Sequence, residues 1–179
     1  MTETFKEILV FIKNPILEKD SNTSFRYRLK KFSKLLGISL VTGFAFAIVI
    51  GVITETGLLT IENHAMEDIM DQFPLSFVFF MAVVLAPLLE EVIFRAPLTL
   101  FKKRKSFKVA FYTFTIIFGL VHISNYEMTT QILLFTPILV APQLFLGSYL
   151  GFIRIRFGLL WAIALHATFN GILMSFEFF

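Results

Sequence analysis

The stretch PLSFVFFMAVVLAPLLEEVIFRAPLTLF, residues 74–101, decides the fold of this chain. It is apolar over a length that crosses a bilayer core of about 30 Å at about 1.5 Å per residue, so it predicts a transmembrane helix. Its only charged residues are Glu90, Glu91 and Arg95. Ionisable side chains inside a span cost on the order of 3 kcal/mol each by insertion scales, so these three indicate a functional site.

Four further apolar segments accompany this stretch. One of them contains Pro137 and Pro142, which predict a kinked or broken helix. With residues 74–101 they predict an all-α fold, a polytopic transmembrane helical bundle of about five spans. The four segments are Leu35–Leu59, Phe107–Ile123, Ile132–Ile153 and Phe157–Phe176.

The composition of the whole chain agrees with a membrane protein. Hydrophobic residues make up 56% of the 179 residues, charged residues 16%, and the mean hydropathy is +0.78. A soluble domain carries about 25% charged residues, and a single compact core of this length could not hide so much apolar surface. The chain has no cysteine, which excludes disulfides, thiolate nucleophiles and cysteine-ligated metals.

The N-terminal part mixes apolar and basic residues. Apolar side chains recur there at helical spacing, at Phe5, Ile8, Leu9 and Ile12. This pattern predicts an amphipathic helix on the membrane surface ahead of the first span. We therefore divide the chain into an interfacial N-terminal segment, residues 1–34, and a transmembrane helical domain, residues 35–179.

The basic residues predict the orientation of the chain. Of the 16 Lys and Arg, eight lie in residues 1–34, five in the Lys102–Lys108 loop and two at Arg154 and Arg156. With five spans these regions fall on one side of the membrane, whereas the Ile61–Phe73 loop has no Lys or Arg. The positive-inside rule then predicts a cytoplasmic N-terminus and an external C-terminus. The predicted partners of this basic rim are anionic lipid headgroups and not nucleic acid.

Helical spacing separates the roles of the charges in residues 74–101. Glu91 and Arg95 are four residues apart, so they share a face and can pair as ions. Glu90 is turned by about 100° from Glu91 and has no partner within its own helix. A carboxylate in such a place suits a general base, although an intramembrane Glu–Arg pair alone is also typical of a structural clamp.

Two other spans carry polar groups to a similar depth. His166 and Asn170 are four residues apart and present an imidazole and an amide that can stabilise an oxyanion. His122 can act with Glu90 on a water, as a proton shuttle or as a metal ligand. Counted from the basic rim, Glu90, His122 and His166 lie within about one helical turn of each other near mid-membrane.

These residues form three ordered motifs: EExxxR at residues 90–95, FxxxH at 118–122 and HxxxN at 166–170. Their order resembles that of the CPBP intramembrane proteases, which comprise type II CAAX prenyl endopeptidases and bacteriocin-processing or immunity relatives, also called the Abi family. The resemblance covers Leu85–Asn170, about half of the chain.

The resemblance implies an intramembrane endopeptidase that hydrolyses a peptide bond in a membrane-associated protein or peptide. It assigns water activation to Glu90 and His122, oxyanion stabilisation to His166 and Asn170, and support or substrate orientation to Glu91 and Arg95. The resemblance leaves open whether a metal takes part: we favour a mechanism without a cofactor, and a divalent metal such as zinc, if one is present, would bind Glu90, His122 and His166. Residues 35–179 are then the protease domain, and the expected location is a bacterial cytoplasmic membrane.

Other functions fit the same residues. A non-catalytic membrane immunity or binding protein could use this polar cavity to hold a partner. A haem protein ligated by His122 and His166 is disfavoured by the neighbouring glutamates, and an ion carrier by the lack of internal repeats. Because family members that process prenylated proteins tend to have more spans, we expect peptide processing or immunity and not a prenylated substrate.

Overall fold

The computed structural model describes residues 2–61 and 65–178, and every regular element within these ranges is a helix. The predicted all-α fold is therefore confirmed. In chain order the elements are α1 (Thr2–Lys13), α2 (Phe25–Glu55), α3 (Ala65–Gln72), α4 (Leu75–Phe80), a π-helical turn (Met81–Leu85), α5 (Ala86–Phe94), a 3-10 turn (Ala96–Leu100), α6 (Arg104–Val121), a 3-10 turn (His122–Asn125), α7 (Thr130–Leu139), α8 (Ala141–Phe157) and α9 (Leu159–Phe178).

Five helical stretches in the described ranges are long and apolar enough to cross a membrane, which confirms the predicted number of spans. Large apolar side chains such as Leu134 and Leu160 point outward, with 75% and 80% of their surface exposed, as lipid-facing residues do. The stretches are Phe25–Glu55, Leu75–Leu100, Arg104–Asn125, Thr130–Phe157 and Leu159–Phe176. The side of the membrane on which each terminus lies stays a prediction.

The predicted N-terminal helix is present as α1, but one of its sides faces protein. Ile8 and Phe11 are buried where α1 packs on α2 and α8. Phe5 and Leu9 lie on the other side and stay exposed. The sequence predicted a helix on the membrane surface and did not indicate a contact with the bundle. In the structure the apolar residues of α1 are divided between the bundle and the outside, because Ile8 and Phe11 lie on a different side of the helix from Phe5 and Leu9.

The helix α2 begins at Phe25, ahead of the predicted start of the span at Leu35. Its first turns carry the basic run, since Lys and Arg are good helix formers and an apolar window marks only the part of a helix inside lipid. Lys31 of α2 forms an ion pair with Glu7 of α1, which joins the two helices. The division of the chain at residue 34 stays a prediction.

Helix α8 lies at the centre of the bundle and contacts α2, α6 and α9. All residues from Leu146 to Ile153 are buried. Glycine allows the close approach of α6, because a Cβ added at Gly151 would lie 2.7 Å from the ring of Phe111. The helix that precedes α8 breaks at Val140, as Pro137 and Pro142 predicted.

Two local differences from the sequence analysis concern the loop before residue 74 and the span that follows it. The Ile61–Phe73 segment, predicted as a loop, contains α3 in its described part. The span itself is not a regular α-helix: the Ala86 N–H donates to Met81 O, five residues back, which makes a π turn. Pro87 stands in the first turn of α5, so the motif-bearing helix begins immediately after the π turn.

Candidate functional site

Helix α5 presents its two adjacent glutamates in different environments. The Glu91 side chain is fully buried, whereas the Glu90 side chain is 27% exposed. Glu91 Oε1 accepts a hydrogen bond from His166 Nδ1 at 3.1 Å and lies 3.5 Å from Arg95 Nη1. The predicted pairing of Glu91 with Arg95 is therefore present, and the same carboxylate oxygen also contacts an imidazole of another span.

The Arg95 guanidinium is buried, with 2% of the side chain exposed. Within residues 2–61 and 65–178, neither Nη1 nor Nη2 has a hydrogen-bond acceptor. The charge is balanced by the Glu91 carboxylate and by the ring of Phe118, whose centroid lies 3.7 Å from Arg95 Cζ. A cation over an aromatic face is stabilised more strongly when it is desolvated, so Phe118 is an electrostatic partner of Arg95.

The imidazole of His166 lies between the two glutamates. Its Nδ1 contacts Glu91 Oε1, and its Nε2 lies 3.7 Å from Glu90 Oε2. The bond from Nδ1 fixes the ring orientation and directs Nε2 towards Glu90, as a carboxylate behind a functional histidine commonly does. Residues of α5 and α9, far apart in sequence, are thus brought together.

His122 follows the last turn of α6. Its Nδ1 donates to the Phe118 carbonyl at 2.7 Å, because a carbonyl oxygen can only accept. The neutral ring is then left with Nε2 as its acceptor, which suits a proton shuttle. His122 interacts electrostatically with Glu90 and His166, and its ring is 4.8 Å from that of Phe118.

Asn170 lies one turn after His166 on α9, yet it has a different partner. Its Nδ2 donates to the Ala82 carbonyl of the π turn at 2.9 Å. The amide carries a second N–H, and the predicted oxyanion role, which stays a prediction, would rest on that hydrogen.

The predicted metal ligands do not form a ready three-ligand site. Within the ranges that the structure describes, no group of three His, Asp or Glu side chains could hold a metal ion. Both nitrogens of His166 face carboxylates, and His122 Nδ1 is used by a backbone carbonyl. A set of Glu90, His122 and His166 would have to rearrange to bind zinc in tetrahedral geometry.

Two residues at this site were not identified from the sequence as functional. Phe118 entered only as the first letter of a motif, but its ring lies beside Arg95, His122 and His166. Arg154 was assigned to the basic rim, yet its Nε donates to the Arg95 carbonyl at 3.1 Å. The Arg95 carbonyl also accepts from the Leu98 N–H at 3.3 Å, so Arg154 adds a cation beside a carbonyl at the C-terminal end of α5, and only its position late in α8 could have suggested this.

Gly147→Ala is expected to lower the thermal unfolding temperature of the detergent-solubilised protein, by an amount that corresponds to about 1–3 kcal/mol. A Cβ at this position would lie 2.9 Å from both Arg95 Nη2 and Phe118 Cδ1, so the cation and its ring partner must move apart. The control is Gly37→Ala, whose added Cβ meets nothing within 4 Å and whose helix favours alanine. Equal shifts in the two variants would contradict the expected clash.

Comparison with protein families supports the resemblance seen in the motifs. A model of the family described as "Type II CAAX prenyl endopeptidase Rce1-like" matches residues 72–172, more than half of the chain. The matched range contains every predicted site residue. Comparisons with curated proteins and with solved structures give no significant match. The motifs, the five spans and the matched family model agree, and the chain belongs to the type II CAAX prenyl endopeptidase Rce1-like family.

Proposed function

We propose that the chain is an intramembrane endopeptidase that hydrolyses a peptide bond in a membrane-associated protein or peptide. Its family is one of proteases, and the chain is an integral membrane protein. The observation that carries the proposal is the position of His166, with Nε2 3.7 Å from Glu90 Oε2 and Nδ1 bonded to Glu91. At this separation the carboxylate can take a proton from the attacking water while the oriented imidazole stabilises the oxyanion that forms on the same peptide carbonyl.

Glu90 is the proposed general base. Its carboxylate takes a proton from a water whose oxygen attacks the peptide carbonyl carbon, and His122 assists through Nε2. His166 in its doubly protonated form stabilises the resulting oxyanion through Nε2–H, while its Nδ1–H stays hydrogen-bonded to Glu91. The intermediate collapses when the C–N bond breaks and Glu90 gives the proton to the departing amine. Glu91 acts by holding His166 in this orientation.

The proposed setting is a bacterial cytoplasmic membrane with the N-terminus in the cytoplasm. The predicted Lys102–Lys108 loop is shorter in the structure, because α6 begins at Arg104, and the side chains of Lys102, Lys103, Arg104 and Lys105 are exposed. Exposed cations at the end of a span attract anionic headgroups, so we propose these lipids as partners of the loop. The proposed substrate is a membrane-associated peptide or protein. The assay below compares substrates with and without a prenyl group.

The experiment is a cleavage assay in vesicles of phosphatidylethanolamine and phosphatidylglycerol. Full-length protein is reconstituted with peptides tethered by a transmembrane helix or by a prenyl group, and the products are identified by mass spectrometry. We expect the wild-type chain to cut a tethered peptide and the Glu90→Gln chain to leave it intact. Equal cleavage by both chains would overturn the assignment.

A membrane immunity or binding protein is the second candidate. The observation that favours it is a set of buried polar atoms, Glu90 Oε2 and both Arg95 Nη atoms, that have no hydrogen-bond partner within the described ranges. Such atoms can bind polar groups of a partner without any reaction. Because glutamine keeps an acceptor oxygen, this function predicts that cells producing the Glu90→Gln or the His122→Ala chain stay fully protected against a bacteriocin, whereas an endopeptidase loses its activity in both variants.

We propose that cleavage needs no divalent metal. The support is the arrangement of the donors, since within residues 2–61 and 65–178 no three carboxylates or imidazoles are grouped for metal binding. Excess EDTA or 1,10-phenanthroline is therefore expected to leave the cleavage rate within about twofold of that without chelator. The control is a zinc peptidase assayed in the same vesicles. Loss of activity that added zinc restores would show a metal enzyme.

A further inference from the structure

The carbonyl of Ala82 has no backbone donor available from its own helix. At α-helical spacing the donor would be the N–H of Ala86, but that N–H is given to Met81 O. At π-helical spacing the donor would be the N–H of residue 87, which is proline and has none. Pro87 therefore leaves one main-chain acceptor free inside a membrane span, where water is scarce and an unsatisfied carbonyl is unfavourable.

Asn170 supplies the missing donor from another helix. Its Nδ2 lies 2.9 Å from Ala82 O. One turn earlier on α9, His166 Nδ1 lies 3.1 Å from Glu91 Oε1. Helix α9 thus contacts the same span at two points, one on each side of the start of α5.

We propose that Asn170 is a positioning residue, which holds the π turn before α5 by bonding the carbonyl that Pro87 leaves free. The π turn contains one residue more than an α turn. If it relaxed to α-helical spacing, α4 and α5 would rotate relative to each other by about 100°. Glu90 and Glu91 would then lose their alignment with His166.

The effect on catalysis rests on the proposed function, but the effect on the turn does not. The test combines Asn170→Ala with Pro87→Ala, because alanine at residue 87 restores an N–H that can donate to Ala82 O. Two quantities are measured on the full-length protein: the unfolding temperature in detergent, and kcat per folded molecule in vesicles.

Asn170→Ala alone is expected to lower the unfolding temperature and to reduce kcat at least tenfold, with KM within about twofold. The double variant Asn170→Ala with Pro87→Ala is expected to recover most of both losses. The matched control places Pro137→Ala in the Asn170→Ala chain; Pro137 also lies inside a membrane helix but not beside Ala82. That control should recover neither quantity.

The proposal would be overturned if the double variant had the same unfolding temperature and the same kcat as Asn170→Ala alone. Reduced kcat at an unchanged unfolding temperature, without recovery, would instead indicate that Asn170 acts only on the oxyanion. If Asn170→Ala alone does not fold, a folded double variant supports the proposal and an unfolded one contradicts it. If the wild-type chain cleaves nothing, the unfolding temperatures alone decide, so failure of the proposed function and failure of this inference are distinguishable.

Discussion

Replacing Glu90 by glutamine is expected to reduce kcat for cleavage of a tethered peptide by about 10²–10⁴-fold, the range that a positioned general base contributes. Glutamine keeps the size of the side chain and its contact with His166, but its amide cannot take a proton from water. In the structure Glu90 Oε2 lies 3.7 Å from His166 Nε2 and makes no hydrogen bond within the described ranges. The substitution therefore removes a proton acceptor with little loss of packing.

The matched control is Glu55→Gln. Glu55 is an exposed carboxylate at the end of α2, outside the site, and its replacement is expected to leave kcat unchanged. The initial rate of product formation is measured by mass spectrometry on amounts of folded protein that are equal by size-exclusion chromatography. A Glu90→Gln chain with kcat within about threefold of wild type would exclude Glu90 as the general base, because that loss is below the contribution of such a base.

The spans could be predicted because each requires only a long apolar run, and the break before α8 because two prolines lie close together. The π turn at Met81–Leu85 could not be predicted. Pro87 is compatible with a kink, a new helix or a π turn. The outcome depends on whether a donor from another helix reaches the freed carbonyl, and Asn170 does so only after α9 has packed against the π turn and α5.

The site shows the same division between local and long-range information. The contact of Glu91 with Arg95 lies within one helix, so the four-residue spacing was sufficient to predict it. The sequence placed His166 near the depth of Glu90 but could not show that its Nδ1 faces Glu91. Arg154 was assigned to the basic rim because the sequence could not show this contact with another helix either. Its bond to the Arg95 carbonyl depends on where the end of α8 lies relative to the end of α5, which no spacing along one helix can show.

Arg95→Met is expected to lower the free energy of unfolding by about 3–5 kcal/mol, the range for breaking a buried ion pair from one side. Methionine fills much of the same space but leaves the fully buried Glu91 carboxylate without its cation. Adding Glu91→Gln should recover part of the loss, because the neutral amide oxygen can still accept from His166 Nδ1. Unfolding in mixed micelles by SDS titration gives the four free energies of this double-mutant cycle.

The control for the cycle is Arg104→Met, which removes an exposed cation at the start of α6 and is expected to change the free energy of unfolding by less than about 0.5 kcal/mol. If Arg95→Met lowered the free energy of unfolding by no more than this control, the attraction between Glu91 and Arg95 would not stabilise the fold. A large loss that Glu91→Gln relieves would show that Arg95 is needed because Glu91 is charged. The stability of the span and the orientation of His166 would then depend on the same carboxylate.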